Sequence, residues 1–319
     1  VLKFLCVLAL LLPFLSVNKA FATDKDATVV MLTWRGKTNA EKAFLKALET
    51  SGRNINVTHF DAGRDRRALG AFLHSNKDAI RSADVVYTFG TLTARVVQSF
   101  DLNGVPHVFN IVADPVGTEL VESLENPGVA RTGAKNTVPL GSVFNTLNEA
   151  IEFDTVAALF DPREVTSEAQ VTKLSAVLGE LGKTVKGVRF VPDAGNLGNQ
   201  IETMRNELSD ADLVYIPAVS SFVGQTRLIS QASPEDAVIV GAIEAYVGNG
   251  ATIAIATDYF ERGRAAAEIV FAILDGASPA SIPVKEVAIE EAIIVIDSKD
   301  ARASKIDLDF LAGTLKMID

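Results

Sequence analysis

The chain has 319 residues, 48% of them hydrophobic, and its 30 basic against 40 acidic side chains give a formal net charge of -10 at pH 7. So acidic a surface excludes nucleic acid and anionic lipid as expected partners. One cysteine, Cys6, and three scattered histidines, His59, His74 and His107, lack any metal-ligand spacing, so no metal and no cofactor is expected.

Residues 1–22 read as a targeting segment. Lys3 supplies a positive start, Phe4 to Leu15 an apolar core interrupted by Pro13, and Ala20-Phe21-Ala22 a small-residue cleavage site. The apolar run is too short to span a bilayer. Cleavage near Ala22 removes Lys3, Lys19 and Cys6. About 297 residues then remain, with 28 basic and 40 acidic side chains, a net charge near -12 and no cysteine. A cysteine-free chain suits an oxidising compartment and excludes disulfide and thiolate chemistry. The expected product starts near Thr23 and is soluble and exported.

Strand and helix patterns then alternate. Short β-rich runs occur at 27–33, 55–60, 83–89, 105–112, 155–160, 184–191, 211–217, 237–242 and 251–257. Between the first two, NAEKAFLKALETSG carries an apolar stripe of Ala43, Phe44, Ala47 and Leu48 ended by Gly52. Strands this apolar, separated by helices, predict parallel sheets covered on both faces. After the third run, Gly90 and Thr91 end the strand and open a helix. After the fourth, Asp114 is placed as an N-cap with Pro115 at the first helical position. Two helix N-termini at neighbouring strand ends would offer amides to an anion such as a carboxylate. A second βα series begins after Gly133. The late segment PVKEVAIEEAIIVID reads as edge strands packed on the second lobe, and Arg262 and Arg264 as a solvated helix face.

Nucleotide and nucleophile motifs are lacking. GKT occurs at 36–38 and 182–184, but the glycine a phosphate loop needs five positions earlier is Met31 in one case and Val177 in the other. Gly182 reads instead as a helix C-cap. GNG at 248–250 has no further dinucleotide fingerprint, and no G-x-S-x-G turn is present.

The GTLTA turn, the strand VPHVFNIV, then ADPVGTELVESLENPGVARTG and, downstream, VGNGATIAIATDYFERGRAAAEIVFAILDGASPASIPV resemble the ABC-transporter substrate-binding family, whose known members bind tryptophan, tyrosine and related solutes. Leu92 stands where the family has proline after Thr91. PGVARTG lacks the family's second Gly and Asn, and DPREVTSEA (161–169) replaces its E-A-N-S loop. The resemblance implies an α/β fold of two doubly wound parallel-sheet lobes joined by three hinge crossings, near residues 136, 257 and 284, as in type I periplasmic binding proteins. Lobe 1 is then 23–136 plus 257–284, and lobe 2 is 137–256 plus 285–319.

The strand ends expected to converge on the cleft carry Trp34, Gly90, Thr91, Thr93, Asp114, Ser220, Phe222, Glu244, Tyr246 and Asp258. Amides after Gly90, with the Thr91 hydroxyl, suit a carboxylate. One of Asp114, Glu244 or Asp258 suits an ammonium, and Trp34, Phe222 and Tyr246 an apolar side chain. Each carboxylate has an alternative role, as a helix cap for Asp114 and Glu244 and as a hinge anchor for Asp258. The function expected is capture of a small solute, an amino acid or similar, by a monomer that presents it to an inner-membrane permease. A sensing module for a signalling partner is the alternative within this fold. A carboxylate-based enzyme is the alternative outside it, and no nucleophile, metal set or cofactor loop accompanies the carboxylates.

Overall fold

The computed structural model describes residues 26–164, 167–192, 197–311 and 313–318. The targeting segment lies outside the described residues. Two sheets organise the chain. The first is all parallel, in the order β2-β1-β3-β4-β5, built from β1 (Ala27–Thr33), β2 (Ile55–Asp61), β3 (Val85–Phe89), β4 (His107–Val112) and β5 (Arg131–Lys135). The second contains β6 (Thr155–Phe160), β7 (Thr184–Arg189), β8 (Leu213–Ile216), β9 (Val238–Gly241), β10 (Ile253–Thr257), β11 (Ala292–Asp297) and β12 (Thr314–Ile318), in the order β12-β11-β10-β9-β8-β6-β7. Its pairs are parallel except β10 with β11.

Helices cover both faces of each sheet, as the apolar strands require. On the first, α1 (Asn39–Thr50) and α9 (Tyr259–Leu274) bury Ala40, Phe44, Ala266 and Val270 against Val29, Met31 and Tyr87. The opposite face takes Leu69 and Leu73 of α2 (Arg66–Ser75), Ile80 of α3 (Lys77–Arg81) and Val97 of α4 (Thr91–Gln98). On the second sheet, α5 (Leu140–Ala150) and α6 (Ser167–Glu180) cover one face through Phe144, Leu147, Leu174 and Leu178. The other face packs Met204 and Leu208 of α7 (Leu197–Leu208) and Ile229 of α8 (Thr226–Ala232).

The chain passes between the sheets three times. It leaves the first after β5, and α9 returns it there directly after β10. The segment through Ile282 and Lys285 then bonds to Thr132 and Gly133 before β11 rejoins the second sheet. These crossings are tied side by side: Thr257 Oγ1 donates to the Asn136 carbonyl at 3.2 Å, and the Lys135 amide to the Lys285 carbonyl at 2.9 Å.

Four local expectations need correction. Asp114-Pro115 opens no helix: the Asp114 carboxylate accepts from the Gly117 amide at 2.9 Å, but the turn ends at Glu119, whose φ is +58°. A non-glycine residue in the left-handed region stops helical propagation. β5 is a strand where the sequence offers only the short Gly133-Ala134 apolar step. β11 lies inside the sheet, and β12 forms its outer edge. Arg262 is 7% exposed rather than solvated, and its guanidinium donates to the Glu286 carbonyl at 2.9 Å.

Candidate functional site

Both sheets share one winding. β2-β1-β3-β4-β5 is matched by β7-β6-β8-β9-β10, so each has a topological switch point, between β1 and β3 and between β6 and β8. Crevices outside the carboxyl ends of strands at such points are where ligands bind in open α/β sheets. Here the two crevices meet in a cleft with a cavity of about 190 Å³. Trp34 and Arg35 reach it from the end of β1, Phe89 and Gly90 from β3, and Ile111 from β4. Arg163 and Glu164 follow β6, Ala218 and Val219 follow β8, and Ile243 follows β9. A dry cavity of about 150 Å³ already accepts benzene, so this volume takes a small organic solute.

Gly90 sets the anion-binding end. Its φ of +83° and ψ of 156° turn the chain sharply from β3 into α4, a conformation almost reserved for glycine. No side chain caps α4, and its first helical bond runs from the Ala94 amide to the Gly90 carbonyl. The amides of Thr91, Leu92 and Thr93 therefore precede the hydrogen-bonded ladder, with Gly90, Thr91 and Leu92 on the cleft wall. Arg35, Arg95 and Arg163 place guanidinium groups on the lining beside Glu164, the Arg163 charge being met by the buried Asp161. The Arg35 guanidinium stands 6.0 Å from the centre of the Phe89 ring.

The apolar wall depends on a backbone irregularity. Ile111 has φ +58°, where the β4–β5 register shifts between Asn110 and Val112. A β-branched residue there is strained. The Asn110 side chain holds it: its Oδ1 accepts from the Ile111 amide at 2.9 Å, while its Nδ2 donates to the Tyr87 hydroxyl at 3.0 Å. The strain brings an aliphatic side chain onto the cleft wall. Tyr259 and Asn136 complete the hinge side. Burial raises the Tyr259 phenol above its ordinary pKa, against the pull of Arg35 and a hydrogen bond with Asn136. The Asn136 Oδ1 atom is buried without a hydrogen-bond partner among the described residues.

The loop that departs from the family pattern is internally braced. Asp161 is fully buried and receives Arg163 Nη2 at 2.7 Å and the Ser221 hydroxyl at 2.7 Å. Burial alone would raise its pKa; the Arg163 and Ser221 hydrogen bonds overcome this and hold it below the ordinary range. Glu164 Oε1 accepts from the Ser221 amide at 2.9 Å. The β6 and β8 loops are thus fastened together at the floor of the cleft.

Of the ten residues singled out from sequence, Trp34, Gly90 and Thr91 line this cleft. Thr93 lies within the first turn of α4, fully buried, its hydroxyl without a partner among the described residues. Asp114 pairs with Lys173 of α6 at a neighbouring cavity. Ser220 opens the short turn Ser220–Phe222 after β8. Phe222 is in the second core, its ring 5.8 Å from that of Phe190. Tyr246 is in the same core, donating its hydroxyl to the Pro217 and Val219 carbonyls. Glu244 pairs with Lys316 of β12 at the surface, and Asp258 caps α9 by accepting from the Phe260 amide at 2.7 Å. Arg95 and Ile111 also line the cleft, without a signal in the sequence. The position of Arg95 follows from the pitch of α4, and that of Ile111 from a bulge that no residue type announces.

A family model described as ABC transporter substrate binding protein matches residues 27–309. The tyrosine-binding protein of Clostridioides difficile (strain R20291) is 24% identical over 272 residues, covering 83% of this chain and 76% of that protein. Among solved structures, the ABC domain of Streptococcus pneumonia in complex with L-Trp is 21% identical with a TM-score of 0.75, covering 92% of this chain and 100% of that one. A conserved domain protein of Vibrio cholerae has a TM-score of 0.74 at 21% identity, with the same coverage. The chain belongs to the ABC transporter substrate binding protein family, whose members bind small solutes and are not enzymes.

Proposed function

We propose that this protein is an exported, monomeric receptor that captures an amino acid with an aromatic or other apolar side chain between its two lobes and delivers it to an ABC permease. The observation that carries this reading is the uncapped start of α4, facing a largely apolar cleft whose lining also holds Arg35 and Arg95. The solute carboxylate is assigned to the amides of Thr91 to Thr93 and the Thr91 hydroxyl, with Arg35 supplying the balancing charge. The ammonium is assigned to Glu164 and the Asn136 Oδ1 atom. Trp34, Phe89, Ile111, Val219 and Ile243 enclose the side chain. The names of two relatives, a tyrosine-binding protein and a domain complexed with L-Trp, support the choice of solute class.

On this reading the lobes are 23–136 plus 257–284 and 137–256 plus 285–319, and the tied crossings form the hinge about which they close. Export with cleavage near Ala22 places the protein in the periplasm. Among the described residues no helix is long and apolar enough to cross a membrane. The test is a thermal-shift screen of the mature chain against amino acids, purines, nucleosides and small organic acids, followed by calorimetry. A saturable rise in Tm with L-tyrosine or L-tryptophan, and a Kd near micromolar, about -8 kcal/mol, is expected. Flat curves with every amino acid from demonstrably folded, ligand-free protein would overturn the reading.

A further inference from the structure

A second cavity, of about 380 Å³, lies beside the hinge and is larger than the cleft's own. Its interior is apolar, formed by Leu140 and Val143 of α5, Val177 of α6, Ile255 of β10 and the ring of Tyr215 in β8. Lys173 and Asp114 stand in its wall, paired to one another. It therefore has the composition of a small-molecule site, a predominantly apolar chamber with a few polar groups.

Two polar groups in this chamber are unaccounted for by the fold. Tyr215 is 5% exposed, its ring packs edgewise on Phe144 at 5.3 Å, and no hydrogen bond reaches its hydroxyl among the described residues. Burial accordingly pushes that hydroxyl's pKa up. The two fully enclosed tyrosines, Tyr87 and Tyr246, differ. The Tyr87 hydroxyl donates to Glu41 at 2.8 Å and accepts from Asn110, while that of Tyr246 donates to two backbone carbonyls. The second group is Gln170 Nε2, on the same cavity wall and buried without a partner among the described residues. The buried Gln170 amide donor carries a desolvation penalty unless a partner meets it, and the Tyr215 hydroxyl is open to the same partner. Gln170 Nε2 can only donate, so the partner must offer an acceptor.

We propose that this hinge-side cavity is a second small-molecule site, taking a compact, mainly apolar molecule whose single oxygen hydrogen-bonds to the Tyr215 hydroxyl and Gln170 Nε2, as a phenol would. The apolar body lies between α5 and α6 on the face of the sheet. The site opens beside the cleft, with Ala113 on the wall of both, and its own wall is drawn from both halves of the molecule.

The probe is p-cresol, titrated into the purified mature protein by ligand-observed NMR and calorimetry. Wild type is expected to bind one equivalent with a submillimolar Kd. Tyr215→Phe removes only the unpaired hydroxyl, so Tm should hold or rise while p-cresol affinity falls at least about fivefold, the loss of one hydrogen bond of about 1 kcal/mol. Val177→Trp, which fills the chamber from α6, should abolish binding, and Trp34→Ala in the cleft should leave it unchanged. No binding to wild type, unchanged affinity in Tyr215→Phe, binding retained in a folded Val177→Trp, or affinity lost in Trp34→Ala each overturns the proposal. The last outcome would place the probe in the cleft and leave the solute-receptor reading standing.

Discussion

His107 sits in β4 with 1% of its surface exposed, its Nε2 at 2.8 Å from the Thr88 hydroxyl and its Nδ1 without a partner among the described residues. Burial, reinforced by Arg131, pushes its pKa down to about 3. An unfolded histidine titrates near 6.5. Between those values the unfolded chain binds a proton that the folded chain does not. The stability tied to neutral His107 is therefore complete above pH 6.5 and is lost as pH falls toward 3. From pH 8 to pH 5 the loss from this one group is about 2 kcal/mol. His107→Gln keeps a polar contact to Thr88 and does not titrate, so urea unfolding of the variant at the two pH values should show a difference smaller by that amount. His59, also held down chiefly by burial, contributes with the same sign and remains in both proteins. An identical pH dependence in variant and parent would show that His107 is not the buried neutral base. Gly90 gives a second prediction at this scale. Alanine at φ +83° is strained by roughly 1–3 kcal/mol. Relief of that strain would swing the first turn of α4, so Gly90→Ala should lower Tm and weaken L-tyrosine binding together, read by differential scanning fluorimetry and calorimetry.

The helices α1 and α9 cross in close backbone contact. A Cβ at Gly263 would stand 2.1 Å from the Ala40 carbonyl oxygen, and both elements there are rigid backbone. Gly263→Ala must push the helices apart and is expected to cost about 1–3 kcal/mol, visible as a lower Tm with solute affinity little changed. A variant as stable as the parent would mean that the helices are less tightly apposed. This contact also shows where sequence reading stops. The apolar runs of β1, β3, β6 and β8 and the stripe of α1 are local patterns, so they are legible without knowledge of any partner. Gly263 is visible in the sequence, but Ala40 as its neighbour is a tertiary fact. β5 is hidden for a related reason. Arg131 and Lys135 end it, and Gly133 is required because a Cβ there would lie 1.9 Å from the Phe109 carbonyl oxygen. Trp34, Gly90 and Thr91 are legible in the cleft because strand ends and helix starts leave residue signatures. Phe222 and Tyr246 have the same composition signal, yet tertiary packing takes them into the second core, and Ile111 enters the cleft through a bulge without any signature.

Among the described residues the two halves of the molecule touch through the crossing strands and through ion pairs outside them, Arg262 of α9 with Glu291 ahead of β11 and, farther from the crossings, Lys173 of α6 with Asp114 in the turn after β4. The crossing strands are tied side by side by the Lys135 amide to Lys285 carbonyl bond and by the Thr257 hydroxyl to the Asn136 carbonyl, and on the proposed reading they are where the halves bend. The Lys173–Asp114 pair joins α6 to the turn after β4, outside the crossing strands, so separating the sheets at that point breaks it. Burial would raise the Asp114 pKa, but the Lys173 ammonium and the Gly117 amide outweigh it and keep the carboxylate charged through the neutral range. The lysine side chain is 58% exposed, which limits the pair to about 0.2–1 kcal/mol. A term of that size shifts a two-state equilibrium by a factor of roughly 1.4 to 5 without destabilising either half. Lys173→Ala should therefore enlarge the radius of gyration of the solute-free protein in small-angle X-ray scattering, with an unchanged Tm for unfolding. Saturating L-tyrosine should restore the parental radius, because solute contacts from both halves add several kcal/mol to the joined arrangement and overwhelm the missing pair. An increase that persists at saturation would mean that the solute does not draw the lobes together, and would separate binding in this protein from hinge closure.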